Sequence, residues 1–139
     1  MTDDFITRRD TGWYDMQGNP ISIREWADKY ADSDKRVVQQ TMGGFFWIST
    51  VHVGLDHGLG VGQKPVIFET MVFTRWKTYV RGYTFMGIKR PGYWSARSVD
   101  QWRYSTLAQA KGGHLDVVQQ WSGWSGFKRF VCYWLGISR

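Results

Sequence analysis

The chain has 139 residues and a formal net charge of +6, with 42% hydrophobic and 22% charged residues. This length is typical of one domain with its own core, and the composition excludes a disordered chain. A single cysteine, Cys132, excludes an intramolecular disulfide. The N-terminal residues lack the apolar segment of a signal peptide, and no apolar run approaches the roughly 20 residues of a membrane span. We therefore expect a cytoplasmic protein without a membrane partner.

The charge is distributed unevenly along the chain. Residues 1–40 hold six basic and eight acidic residues, whereas residues 41–139 hold twelve basic and four acidic ones. The basic part is also rich in aromatic residues, which make up 17% of the whole chain. Cations mixed with aromatic rings suit partners that join phosphates to bases, because one group neutralises charge and the other stacks. The alternatives are a solvated basic face and aromatic residues that serve only the core.

The first half of the chain predicts one helix and four strands. Gly12 to Asp15 is typical of a short strand before a turn, and Ser22 with Glu25 forms a capping-box pattern that predicts a helix over 23–31. The pair Gly43-Gly44 then divides two extended segments, which predicts a hairpin over 36–53. A glycine-rich loop over 56–64 precedes a further predicted strand over 65–73.

The second half predicts a hairpin, a strand and a helix. Residues 75–98 are rich in Thr, Tyr, Trp and Gly, and we place the turn of this hairpin at Arg90-Pro91-Gly92. A short strand over 101–105 follows. Thr106 is a helix-capping residue for a helix over 107–121, and the helical spacing turns His114 toward the sheet or a cleft. The tail is predicted to add a strand or to dock across the core.

This order of elements predicts an α+β fold, an antiparallel sheet with two helices packed on one side and a protruding hairpin. We expect a single domain over 1–139. Within it, 75–98 is a hairpin insertion and 122–139 is an aromatic and basic C-terminal extension.

Several segments resemble a family of small uncharacterised bacteriophage proteins, notably those of actinobacteriophages. They are WYD-x-x-GNPIS-x-x-EWA, STV-x-VGLDHG, P-x-IFETMVF, RYST and A-x-x-GH-x-x-VV, which together cover residues 13–73 and 102–118. The resemblance implies a phage origin, and hence the cytoplasm of the host cell. It implies no activity and no catalytic residue. Residues 75–98 and the Trp-rich tail look longer than in the family.

A first candidate site combines Asp56, His57 and Glu69, with His114 and Arg103 as neighbours. Carboxylates with histidines hold metals or transfer protons. The structural alternative is that Asp56 ties its own loop and that Glu69 pairs with Arg103 across neighbouring strands. Because the chain has no HExxH or CxxC motif, we expect no metal and no cofactor, and we assign no catalytic residue.

A second candidate site lies in the basic and aromatic part of the chain. On a regular strand, alternate residues from Arg75 to Tyr83 would share one face. We expect the arginines to converge on one concavity beside aromatic rings, where an anion would be bound by charge and stacking together. The predicted ligand-binding residues are Arg75, Trp76, Arg81, Tyr83, Arg90, Tyr93, Trp94, Arg97 and Arg103.

These observations favour a non-enzymatic phage accessory protein that binds an anionic small molecule, most plausibly a nucleotide. Sequestration of a host immune signal, an anti-defence role, is one form of this hypothesis. Two alternatives stay open. One is a factor that binds nucleic acid or a host protein, and the other is an enzyme that uses Asp56, His57 and Glu69. The sequence is compatible with a homo-oligomer.

Overall fold

The computed structural model describes residues 12–56 and 64–136. Within them the chain forms four helices and six strands in an α+β arrangement, as predicted. In chain order they are α1 (Ile23–Tyr30), α2 (Ser33–Arg36), β1 (Val37–Gly43), β2 (Phe46–His52), β3 (Phe68–Val80), β4 (Tyr83–Phe85), β5 (Ile88–Arg90), β6 (Tyr93–Tyr104), α3 (Leu107–Trp121) and α4 (Gly123–Trp134).

Four strands form an antiparallel sheet in the order β1-β2-β3-β6. With 13 and 12 residues, β3 and β6 are much longer than the 7-residue β2, so their outer halves run on beyond the rest of the sheet. The small β4-β5 hairpin continues from this end. We call residues 75–98 the arm. The protruding hairpin is therefore confirmed, although its strands are outward extensions of the sheet.

The arm departs from the predicted strand in two details. The pairs Phe73↔Ser98 and Lys77↔Ala96 enclose three residues on β3 but only one on β6, which marks a bulge. The bulge and the break between β3 and β4 interrupt the alternation, so the expected shared face from Arg75 to Tyr83 does not form. The tip turn also lies at Met86 and Gly87, with φ of 47° and 76°, rather than at 90–92.

Helix α3 packs across one face of the sheet and has the predicted boundaries. Its capping box joins Thr106 to Gln109, and its buried stripe is Ala110, His114, Val117 and Trp121. These side chains complete two apolar clusters with the strands. The buried members of the clusters are Phe46, Ile48, Val72, Val99, Val117 and Trp121 in the first, and Ile67, Phe68 and Ala110 in the second.

A chain of buried polar side chains ties α3 to three strands. The ring of His114 is fully buried, with Nε2 2.8 Å from Oγ1 of Thr41 and Nδ1 2.8 Å from Oγ1 of Thr50. The Thr50 hydroxyl is in turn 2.5 Å from that of Thr70. Because a buried polar group without a partner is costly, this chain fixes both the position of the helix and the strand register beneath it.

The C-terminal tail is a helix, α4, so the added strand is wrong, whereas the alternative prediction that the tail docks on the core is confirmed. Its Phe130 packs on Phe46 and on Trp76, with ring centroids 5.8 Å and 5.2 Å apart, respectively. Gly126 allows close approach to α3, because an added Cβ would lie 2.1 Å from the carbonyl oxygen of Trp121. Glycines lower helix propensity, so the sequence of this segment did not predict a helix. Tertiary packing stabilises the helix nevertheless.

Replacing Thr50 by Val should lower the free energy of unfolding by about 1 to 3 kcal/mol, because it leaves Nδ1 of His114 buried without a partner. Urea denaturation measures this change. The matched control is Thr84→Val, the same substitution on exposed β4, for which we expect a change within about 0.5 kcal/mol. Equal stability of the two variants would show that the hydrogen-bond chain does not hold the helix.

Candidate functional site

The predicted pairing of Glu69 with Arg103 is confirmed. The two residues are cross-strand partners in β3 and β6, and Nε of Arg103 donates to Oε1 of Glu69 at 3.1 Å. The Glu69 side chain is 16% exposed and that of Arg103 is 40% exposed. An ion pair with this much solvent access contributes modestly, so its main effect is to satisfy a half-buried carboxylate.

The other members of the first candidate site do not join this pair. His114 projects from α3 onto one face of the sheet, and Glu69 lies on the opposite face. The two side chains therefore cannot share a proton or a metal. Oδ1 of Asp56 accepts a hydrogen bond from the backbone N–H of Val66 at 3.4 Å, which ties its loop as the structural alternative predicted. His57 lies outside the described residues. Across 12–56 and 64–136, no three His, Cys, Asp or Glu side chains are grouped to hold a metal ion.

A double-mutant cycle over Glu69→Ala and Arg103→Ala should give a coupling energy of about 0.5 to 1 kcal/mol, as expected for a partly exposed pair. Denaturant melts of the wild type and the three variants supply the four free energies. The coupling should shrink in high salt, because salt screens exposed charges. A coupling of zero at low salt would mean that the ion pair has no energetic role.

Two buried histidines make the stability of the fold depend on pH. Burial lowers the pKa of His114 from its ordinary value of 6.5. Burial also lowers the pKa of His52, while the backbone and the charge of Asp15 act in the opposite direction. Both side chains are neutral in the folded protein at pH 7. The unfolded chain therefore binds protons first as the pH falls.

Acidification from about pH 7.5 to about pH 5.5 should destabilise the protein, because the unfolded state binds more protons below the ordinary histidine pKa. At pH values above this pKa the free energy of unfolding is at its full value. As the pH drops below this pKa, the free energy of unfolding decreases by at most about 1.4 kcal/mol per pH unit for each histidine. Urea melts across this range measure the slope. His114→Gln should make it shallower, and an unchanged slope in that variant would contradict the assignment to His114.

At its base, the arm uses three of the predicted ligand-binding residues for packing. Nη1 of Arg75 donates to the carbonyl oxygen of Gly44 at 3.0 Å. The guanidinium of Arg97 lies 5.3 Å from the ring centroid of Trp134 on α4. Trp76 belongs to the aromatic contacts around Phe130 described above. These three side chains thus anchor the arm to the domain.

Farther out, the arm presents cations beside exposed aromatic rings. Tyr79 and Trp94 are cross-strand partners whose ring centroids are 5.5 Å apart, and Lys77 lies two residues before Tyr79 along the same strand. At the tip, Tyr83 stands opposite Arg90. Trp94 is 66% exposed and Tyr83 is 64% exposed, so both rings are available to a partner.

No acidic residue occurs between Glu69 and Asp100, so the arm carries six basic residues and no negative charge. The expected concavity between its arginines does not form. Four cavities in the described part of the chain are lined by residues of the sheet and the helices, and no arm residue lines any of these four. Arg103 lies apart from the others, on the sheet beside Glu69. The arm is therefore an extended cationic ribbon rather than a pocket.

Helix α4 lies in the aromatic and basic extension that the sequence indicated, and it adds side chains that were not among the predicted ligand-binding residues. Trp124 is exposed and stacks on Phe127 at 5.2 Å, and Nζ of Lys128 lies 6.0 Å from the Trp124 ring centroid. Phe127 also contacts Phe45 beside the arm's base, with centroids 6.2 Å apart. A usable signal was present, because no acidic residue follows Asp116 in the sequence.

The sheet face opposite α3 holds a third candidate site, which the sequence did not indicate. Trp47 and Phe73 are stacked cross-strand partners with ring centroids 4.9 Å apart and planes at 28°. They line a cavity of about 500 Å³ together with Met71 and Val51. Helix α2 forms one rim of this cavity through Asp34 and Arg36. We call it the open-face cavity.

No protein-family model matches the chain, and no curated protein or solved structure is significantly similar to it. None of the helices described here has the length and apolarity to cross a membrane. The function must therefore be argued from the arm and the open-face cavity themselves.

Proposed function

We propose that the protein binds single-stranded nucleic acid along the arm. The observation that carries this proposal is the succession of Lys77, the Tyr79 and Trp94 pair, Arg81 and the opposed Tyr83 and Arg90 on a ribbon without acidic residues. Phosphates would contact the cations, and unpaired bases would stack on the exposed rings.

The extended shape of the arm favours a polymer over a small anion. A free nucleotide needs charge and a stacking surface around one concavity. The arm offers these groups in succession along two strands instead, which suits a strand of several nucleotides. Sequestration of a small host signal by the arginines of the arm loses its support for this reason. In the phage setting that the sequence resemblance implies, the partner would be phage or host nucleic acid.

A protein partner is the second candidate, and the apolar tip favours it. Phe85, Met86 and Ile88 are all exposed, and Met86 is 86% exposed. Clustered apolar residues on a protein surface commonly mark interaction sites. This contact would depend little on salt, whereas nucleic-acid binding releases counterions and weakens steeply as salt rises. Salt dependence therefore separates the two functions.

The triple variant R81A/K89A/R90A should lose most of the affinity for single-stranded nucleic acid. Fluorescence anisotropy with labelled single-stranded DNA and RNA across a salt series measures this. Three lost phosphate contacts should reduce the slope of log K against log salt by about 2.

Trp94→Ala should weaken binding by about 1 to 3 kcal/mol at every salt concentration, because it removes a stacking surface.

The matched control is R24A/K29A/K35A, which removes three exposed cations from α1 and α2 and changes the net charge equally. We expect this variant to bind like the wild type at moderate salt. The proposal fails if both triple variants bind alike, or if duplex DNA binds as tightly as the single strand.

A further inference from the structure

The open-face cavity is built differently from the arm. The stacked pair Trp47 and Phe73 lines it, and its volume of about 500 Å³ is typical of sites for small ligands. Aromatic side chains in the lining favour a ligand with a planar ring. The cavity lies against the half of β3 that precedes the arm, so it is a separate site.

The charged groups around the cavity exclude a phosphate as the main recognition element. Two carboxylates, Asp34 and Glu69, line it with one cation, Arg36. Glu69 has one oxygen engaged by Arg103, which leaves it able to accept further hydrogen bonds. A ligand that fits should therefore carry no phosphate and should offer N–H donors to the carboxylates.

The same ligand must also carry an acceptor. The guanidinium of Arg36 also lines the cavity, 5.6 Å from the ring centroid of Trp26, and it carries only N–H donors. A ligand oxygen or ring nitrogen would accept a hydrogen bond from one of these N–H groups. Gln40 and Ser49 also line the cavity, and Nε2 of Gln40 donates to Oγ of Ser49 at 3.4 Å, so the cavity also contains neutral polar groups.

We propose that the open-face cavity binds a guanine base. Guanine is planar and uncharged, and its edge carries N–H donors for a carboxylate next to a carbonyl acceptor for an arginine. Adenine lacks this combination, because an amino group replaces the carbonyl and would face the donor of Arg36. The aromatic pair supplies the stacking surface that bases use in proteins.

The test uses guanosine, which has no phosphate and therefore does not engage the cations of the arm. Calorimetry and NMR titration should show saturable guanosine binding that is at least about tenfold tighter than adenosine binding. Trp47→Ala should abolish it. Trp124→Ala, which removes an exposed tryptophan from α4, should leave it unchanged.

A second pair of variants keeps the test valid if Trp47→Ala unfolds the protein. Asp34→Asn should weaken guanosine binding about tenfold and reduce the preference over adenosine. Asp28→Asn, an exposed aspartate on α1, should have no effect. The proposal is overturned if guanosine does not saturate, if adenosine or L-tryptophan binds equally well, or if the two Asp variants behave alike.

Guanosine binding in the open-face cavity does not depend on nucleic-acid binding by the arm. The triple variant R81A/K89A/R90A should retain the wild-type affinity for guanosine. If this variant loses nucleic-acid binding but keeps guanosine binding, the two sites are separate. The same conclusion follows if Asp34→Asn loses guanosine binding but keeps nucleic-acid binding.

Discussion

The arrangement of this fold depends on the hydrogen bonds of His114. Its two ring nitrogens bond to Thr41 and Thr50, and Thr50 continues to Thr70, so one buried side chain connects a helix with three strands. Apolar packing alone would tolerate small shifts of α3 along the sheet, whereas these polar atoms are satisfied in one position. Because α3 is held on this face, the opposite face of the sheet stays available to a ligand.

The two proposed sites share the long strand β3, whose halves have different roles. Glu69 and Phe73 lie beside the open-face cavity, and the residues after Thr74 form the arm. The two-stranded tip of the arm is exposed on both faces, and isolated ribbons of this kind are marginally stable in water. Contacts of Trp76 and Arg97 with α4 anchor the base of the arm, so α4 supports the proposed binding surface although it lies outside the sheet.

Local signals predicted most of the secondary structure, and long-range packing determined what they missed. The capping boxes at Ser22 and Thr106 placed α1 and α3 well, because a cap is a property of neighbouring residues. The pairing of Glu69 with Arg103 followed from strand alternation. By contrast, α4 depends on contacts with Phe46 and α3, and the bulge after Phe73 depends on β6. The apolar residues of α4 do recur at helical spacing, at Trp124, Phe127, Val131 and Trp134, but the glycines among them obscured this signal. The bulge and the open-face cavity, which is built from three separate segments, leave no periodic signal.

The composition of the arm is itself an argument for a polyanionic partner. Six cations without an acidic residue repel one another, and exposed rings such as Trp94 leave apolar area in water. Both effects disfavour the arm in the isolated protein. Alternating Lys with Glu would solvate a hairpin equally well without the repulsion. A strand of phosphates and bases removes both disadvantages at once, because it neutralises the cations and covers the rings. The features that are unfavourable in the free arm are thus the ones that a bound nucleic-acid strand would use.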